Sequence, residues 1–142
     1  MWQWNDAGDQ VIPDECSFPE EFCSLIDEAG SGNFAACLDL GHAKVTEKET
    51  GSSVSCFIRK LGKKRLQALH VHDSDGKNDL HTAPYTGEID WDDVLTALSE
   101  ISYDGDFTFE ADPFLEKYPV EFVPSALSFL HDTGRMMIKK IH

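Results

Sequence analysis

Three short apolar stretches in this chain each run into a residue that a buried strand has no packing reason to carry. NFAACLDLGH (33–42) reaches Asp39, RLQALHVHD (65–73) reaches His70, and DFTFEA (106–111) reaches Glu110. The segments between them carry helical signals. FPEEFCSLIDEAG (18–30) has apolar Phe22, Leu25 and Ile26, acidic residues at its start and Gly30 as a stop. Residues 43–63 read as helical in part, with a break near Gly51, and IDWDDVLTALSEISYDG (89–105) reads as a helix ended by Asp104-Gly105. A tail at roughly 119–140 is amphipathic, with Phe122, Leu127, Leu130, Met137 and Ile138 as its apolar residues. Strands that alternate with helices specify βαβ units and a parallel sheet.

The two-residue period of a strand then sorts the side chains. Phe34, Ala36 and Leu38 oppose Ala35, Cys37 and Asp39; Gln67, Leu69 and Val71 oppose Leu66, Ala68, His70 and His72; Phe107 and Phe109 oppose Thr108 and Glu110. One face of each strand suits packing under helices, and the other turns polar only toward its C-terminal end. Parallel strands therefore carry Asp39, His70 and Glu110 to one end of one sheet, which is where α/β folds build their sites.

A length of 142 residues suits a single domain with a core of its own. No apolar run reaches the length of a membrane span, and MWQWNDAGDQ lacks the layout of a secretory signal. The formal charge of −14 argues against nucleic acid as a partner, since a phosphate backbone would be repelled. The basic run Arg59, Lys60, Lys63, Lys64 and Arg65 reads as a solvated helix end. Cys16, Cys23, Cys37 and Cys56 form no CxxC pair and read as reduced thiols of a cytoplasmic protein, with Cys37 expected to pack in its apolar run.

LHVHDSDGKNDLH (69–81) concentrates three histidines and three aspartates in thirteen positions. It is not a calcium loop: from Asp73, Lys77 and Asn78 stand at the fifth and sixth positions and Pro84 replaces the closing glutamate. Asp39, His70 and Glu110 form an oxygen-and-nitrogen donor set suited to Mn²⁺, Co²⁺, Zn²⁺ or Mg²⁺, and without a thiolate the set does not choose among them. His42 lies three residues beyond Asp39, past Gly41, where it can turn over the same mouth. His72 shares the parity of His70, and Asp73, Asp75, Asp79 and His81 occupy the loop above. Each residue alone has a plainer reading: Asp39 as a helix N-cap, His70 as a hydrogen-bonded core residue, Asp75 with Gly76 as a turn. Glu110 resists one, because an unpaired carboxylate on a buried strand face is costly. No GxSxG, Walker loop or GxGxxG is present, so any chemistry runs through a metal.

CLDLGHA (37–43), LHVHDSDGKNDLH (69–81) and TGEIDWDDVLTALSEISYDGDFTFEA (86–111), with MWQWND more weakly, resemble the xylose isomerase-like TIM barrel superfamily. That superfamily joins sugar phosphate isomerases and epimerases to the endonuclease IV relatives (AP endonuclease family 2). The resemblance implies an α/β fold with strands six to eight of a (β/α)8 barrel and their helices. It implies Asp39, His70 and Glu110 as ligands of a divalent metal, with Glu110 also catalytic and His42 contacting substrate. His72, Asp79 and His81 fall in substrate-binding or supporting positions. Asp79 and His81 resemble a pair that binds further zinc in the endonuclease relatives, where arginine commonly stands in the place of Leu80. The implied reaction is metal-dependent proton transfer next to the carbonyl of a sugar or sugar phosphate, via an enediolate.

A whole barrel takes about 250 residues. The chain therefore resembles the C-terminal half of one, and the second glutamate that the epimerases use, from an earlier strand, has no counterpart here. Three strands cannot close a barrel, so the open sheet is expected to be completed or covered by self-association, as a homodimer. Two other readings stand beside an isomerase or epimerase, whether active or inactive as a truncated chain: a metal-dependent hydrolase of the endonuclease IV kind, and a non-catalytic half-barrel assembly module.

Overall fold

The computed structural model describes residues 2–4, 7, 11–13 and 16–142. Strands β1 (Trp2–Trp4) and β2 (Val11–Pro13) pair antiparallel as a separate ribbon. The weak motif at the start of the chain falls partly on this ribbon, while its Asn5 and Asp6 lie outside the described residues. Among the described residues, the N-terminal segment adds no strand to the parallel sheet of its own chain.

The sheet itself holds β3 (Ala36–Asp39), β4 (Leu66–Val71) and β5 (Asp106–Phe109), parallel and in that order. Helix α1 (Pro19–Ala29) precedes it. The crossover from β3 to β4 runs through α2 (Leu40–Thr50) and α3 (Val54–Arg65), and that from β4 to β5 through α4 (Trp91–Glu100). Short α5 (Asp112–Glu116) and one 3-10 turn (Val120–Phe122) lead into α6 (Val123–Ile141). The break near Gly51 is real: Gly51 takes a left-handed φ of 68° and Ser53 caps α3 through the amide of Cys56. Helix α4 stops earlier than Asp104-Gly105, at Glu100, because Ser102 turns left-handed (φ 54°). Gly105 instead packs its backbone against Gln67, too close to admit a side chain.

Register places the faces. Asp39 pairs with His70 and His70 with Thr108, so these three stand level across the sheet, and Cys37, Ala68 and Asp106 form the layer below. On the opposite face Ala36, Leu38, Leu69 and Val71 are buried in one cluster with Ile58 and Leu61 of α3 and Val94, Leu95 and Leu98 of α4. The helices thus cover one face and leave the other open. Cys37 is exposed there, so the expectation that it packs fails: its parity follows Asp39, not Leu38.

The tail helix also turns differently from the sequence reading. Its buried stripe is Ala126, Leu130, Thr133, Gly134, Met137 and Ile141, whereas Phe122, Leu127 and Ile138 face solvent. Small residues at 133 and 134 let α6 approach β5, with Gly134 against the ring of Phe109. Four of the five residues of the basic run on α3 have acidic partners: Arg59 has Asp93 and Glu100, Lys60 has Glu20, Lys63 has Asp104 and Arg65 has Asp27. A strip neutralised in this way offers little to a phosphate polymer. Among the described residues, no helix is long and apolar enough to cross a membrane.

Candidate metal centre

Strand β3 ends at Asp39, which is also the N-cap of α2: its Oδ1 accepts the amide of His42 at 2.8 Å. The plainer reading of Asp39 as a cap therefore holds, and it leaves Oδ2 over. That oxygen lies 3.8 Å from His70 Nδ1, and His70 Nδ1 lies 2.8 Å from Glu110 Oε2. Glu110 stands just past β5, held by its amide on the carbonyl of Val71 at 3.2 Å. One donor atom from each of Asp39, His70 and Glu110 falls within 4.8 Å of the others.

These three residues fit a divalent cation on their own chemistry. Glu110 Oε2 is buried, and although it is 2.8 Å from His70 Nδ1 it has no hydrogen-bond partner, so the contact is short without being aligned. A buried carboxylate oxygen without a donor is costly. Two ligands that converge on one ion adopt this relation, each aimed at the ion rather than at its neighbour.

Beside them lies a second group, His42, His72, Asp79 and His81, also within 4.8 Å. Asp79 Oδ1 is 3.2 Å from His42 Nε2 and 3.0 Å from His81 Nε2, and His81 Nδ1 meets the carbonyl of Glu110 at 2.9 Å. His72 does not continue β4. The strand ends at Val71, and the His72 ring turns beneath the mouth, fully buried, to put Nε2 2.8 Å from Asp39 Oδ1. Burial pushes the Asp39 carboxyl up, but the hydrogen bond and charge of His72, with the His42 amide, outweigh it and hold the group at about 2. For His72 burial pushes the other way and the Asp39 contact prevails, so its ring pKa is raised.

The seven candidate site residues singled out in the sequence, Asp39, His42, His70, His72, Asp79, His81 and Glu110, gather at this one mouth. Three supporting residues escaped the sequence reading. Asp73, set among the loop acids, is buried and takes amides from Ser74 (2.9 Å) and Ile89 (3.2 Å) and the indole N–H of Trp91 (2.8 Å). Gly87 lets the loop close on it, since a Cβ there would stand 2.4 Å from Asp73 Oδ1. Gly41 likewise makes room for His72, where a Cβ would come within 2.0 Å of the ring. The glycines beside Asp39 and before Trp91 were the available signals. Asp75 is the expected turn residue, accepting from the amides of Lys77 and Asn78.

The model of the xylose isomerase-like TIM barrel family matches residues 8–126. The uncharacterised protein MJ1311 of Methanocaldococcus jannaschii is 32% identical over 94 residues, 65% of this chain and 30% of that protein. The uncharacterised protein y4fM of Sinorhizobium fredii is 30% identical over 89 residues, 63% of this chain and 27% of that protein. The chain spans under a third of the length of these relatives. A D-tagatose 3-epimerase-like protein of known structure superimposes with a TM-score of 0.63 over 89% of this chain and 44% of its own, at 23% identity, a likeness of fold. The parallel β3-β4-β5 sheet with its helices on one face is thus part of a TIM barrel, and the chain belongs to the xylose isomerase-like TIM barrel family.

Proposed function

We propose that the chain carries the C-terminal part of a sugar isomerase or epimerase centre, in which Asp39, His70 and Glu110 hold a divalent cation. The observation that carries this reading is the convergence of the three donor atoms on a space that leaves Glu110 Oε2 buried without a hydrogen-bond partner. A cation held by these residues would supply polarisation of a carbonyl oxygen and would offset the charge that develops on it. Glu110 moves a proton at the neighbouring carbon. His42, on the first turn of α2 beside Asp39, orients the sugar hydroxyls, while Asp79 holds its Nε2. Among the described residues no third carboxylate joins this group, so the second proton-transfer acid comes from outside it. The open sheet supports association of two copies as the state of the protein in solution.

A second reading, a hydrolase of the endonuclease kind, draws support from the neighbouring His42, His72, Asp79 and His81 group. Metal content per chain separates the readings. One Mn, Co or Zn per chain, lost in Asp39→Ala and in Glu110→Ala, favours the isomerase and leads to epimerisation assays on sugars and sugar phosphates. Two or three zincs that also depend on His81 favour the hydrolase. Metal-free folded protein would overturn both and leave a non-catalytic half-barrel.

A further inference from the structure

Asp39 uses its two oxygens for different tasks. Oδ1 is saturated by the His42 amide and by His72 Nε2, both at 2.8 Å. Oδ2 has longer contacts, to His42 Nδ1 at 3.5 Å and to His70 Nδ1 at 3.8 Å, the same nitrogen that lies 2.8 Å from Glu110 Oε2. A carboxylate with one anchored oxygen cannot rotate freely, so the second is delivered in one direction.

The anchor is itself held on every side. The His72 ring stacks on His81 at 3.9 Å with the planes 8° apart. Its edge lies over Gly41, where any side chain would collide with it. Its Nδ1 reaches the carbonyl of Asp73 at 3.4 Å, a residue pinned in turn by Trp91 and the Ile89 amide. An imidazole with no exposed surface is an expensive way to fill space, and an apolar residue of similar size would fill it without cost. What an apolar residue cannot do is donate to Asp39.

We propose that His72 is a positioning residue of the metal centre: its Nε2–H fixes Asp39 Oδ1, so that Oδ2 is the oxygen presented beside His70 and Glu110. The inference rests on Asp39 being a ligand. Through its stack on His81 and its contact with Asp73, His72 also ties the ligand carboxylate to the 73–81 loop. Partners of this kind, behind a ligand, typically carry ten- to hundredfold in metal affinity.

The test is calorimetric titration of metal-free protein with Mn²⁺, alongside its thermal unfolding. A glutamine amide reaches the position of Nε2 and an asparagine amide that of Nδ1, so His72→Gln keeps the bond to Asp39 and His72→Asn does not. The expected result is near wild-type Mn²⁺ affinity for His72→Gln and a loss of about tenfold or more for His72→Asn and His72→Leu. Equal losses in Gln and Asn that track their unfolding temperatures would reduce His72 to a structural residue and overturn the proposal. Wild-type affinity in His72→Asn would overturn it directly. If His72→Leu does not fold, the Asn and Gln pair decides alone. Wild-type protein that takes up no Mn²⁺, like Asp39→Ala, would instead sink the reading of Asp39 as a ligand, and the positioning role with it.

Discussion

At the scale of single residues, Asp39 shows that a capping role and a ligand role need not compete, because a carboxylate has two oxygens. The two roles separate by substitution. Asp39→Asn keeps an acceptor for the His42 amide but loses the charge that His72 favours, so it is expected to lose metal affinity and some stability, though less stability than Asp39→Ala. Asp39→Ala loses both, with a further cost of about 1 kcal/mol for the missing cap, read from urea unfolding. Gly41→Ala tests the space under His72. Alanine normally favours a helix over glycine by about 1 kcal/mol. Here its Cβ would enter the His72 ring, so a net destabilisation of about 1–3 kcal/mol is expected, together with weaker Mn²⁺ binding. A more stable Gly41→Ala protein would mean that the ring has somewhere else to go.

At the scale of elements, α3 and α4 are joined by apolar packing inside and by an ionic strip outside. Ile58, fully buried on α3, is expected to cost about 2–5 kcal/mol when cut to alanine, again by urea unfolding. The strip is conditional on pH. The Ser55 hydroxyl and the Arg59 guanidinium both donate to Asp93 and hold its carboxyl below the usual carboxylate range. The unfolded chain therefore binds this proton more readily than the folded one. The contribution is present above about pH 4 and disappears as pH falls through the lower folded value. Asp93→Asn is expected to flatten the acid limb of the stability curve, and an unchanged limb would show the contact to be idle.

At the scale of the molecule, the half-covered sheet is the dominant fact. Helices bury one face, while Cys37, Asp106 and Thr108 stand exposed on the other. Among the described residues, β3 and β5 each have one edge without a strand partner. Such edges invite association. Light scattering is expected to give at least twice the 15.9 kDa of one chain, with Cys37 slow to react with a neutral thiol reagent until the assembly is diluted apart. A monomer whose Cys37 reacts at once would show that the inner face tolerates water. Partial desolvation of the sulfur against the sheet, with Asp39 and Glu110 nearby, pushes the Cys37 thiol up although the residue is exposed, so the labelling is best followed at mildly alkaline pH.

The β1–β2 ribbon and α5 were not legible in the residues alone, whereas the order of the three sheet strands and their main helices was, as was the end of the sheet to which Asp39, His70 and Glu110 are delivered. Those follow from a two-residue period acting over four to six residues, which is a local property of the backbone. Tertiary structure decided what lies past the strand ends. The period extended through His72 keeps it on the side of Asp39, but beyond Val71 how deep its ring reaches is set by loop closure, by the space at Gly41 and by the stack on His81. The same holds for Asp73, indistinguishable in sequence from its exposed neighbours until Trp91 and Gly87 close over it. The tail helix follows this rule too: apolar residues line more than one side of it, and only the approach to Phe109 selects the side of Leu130, Gly134 and Met137 for burial.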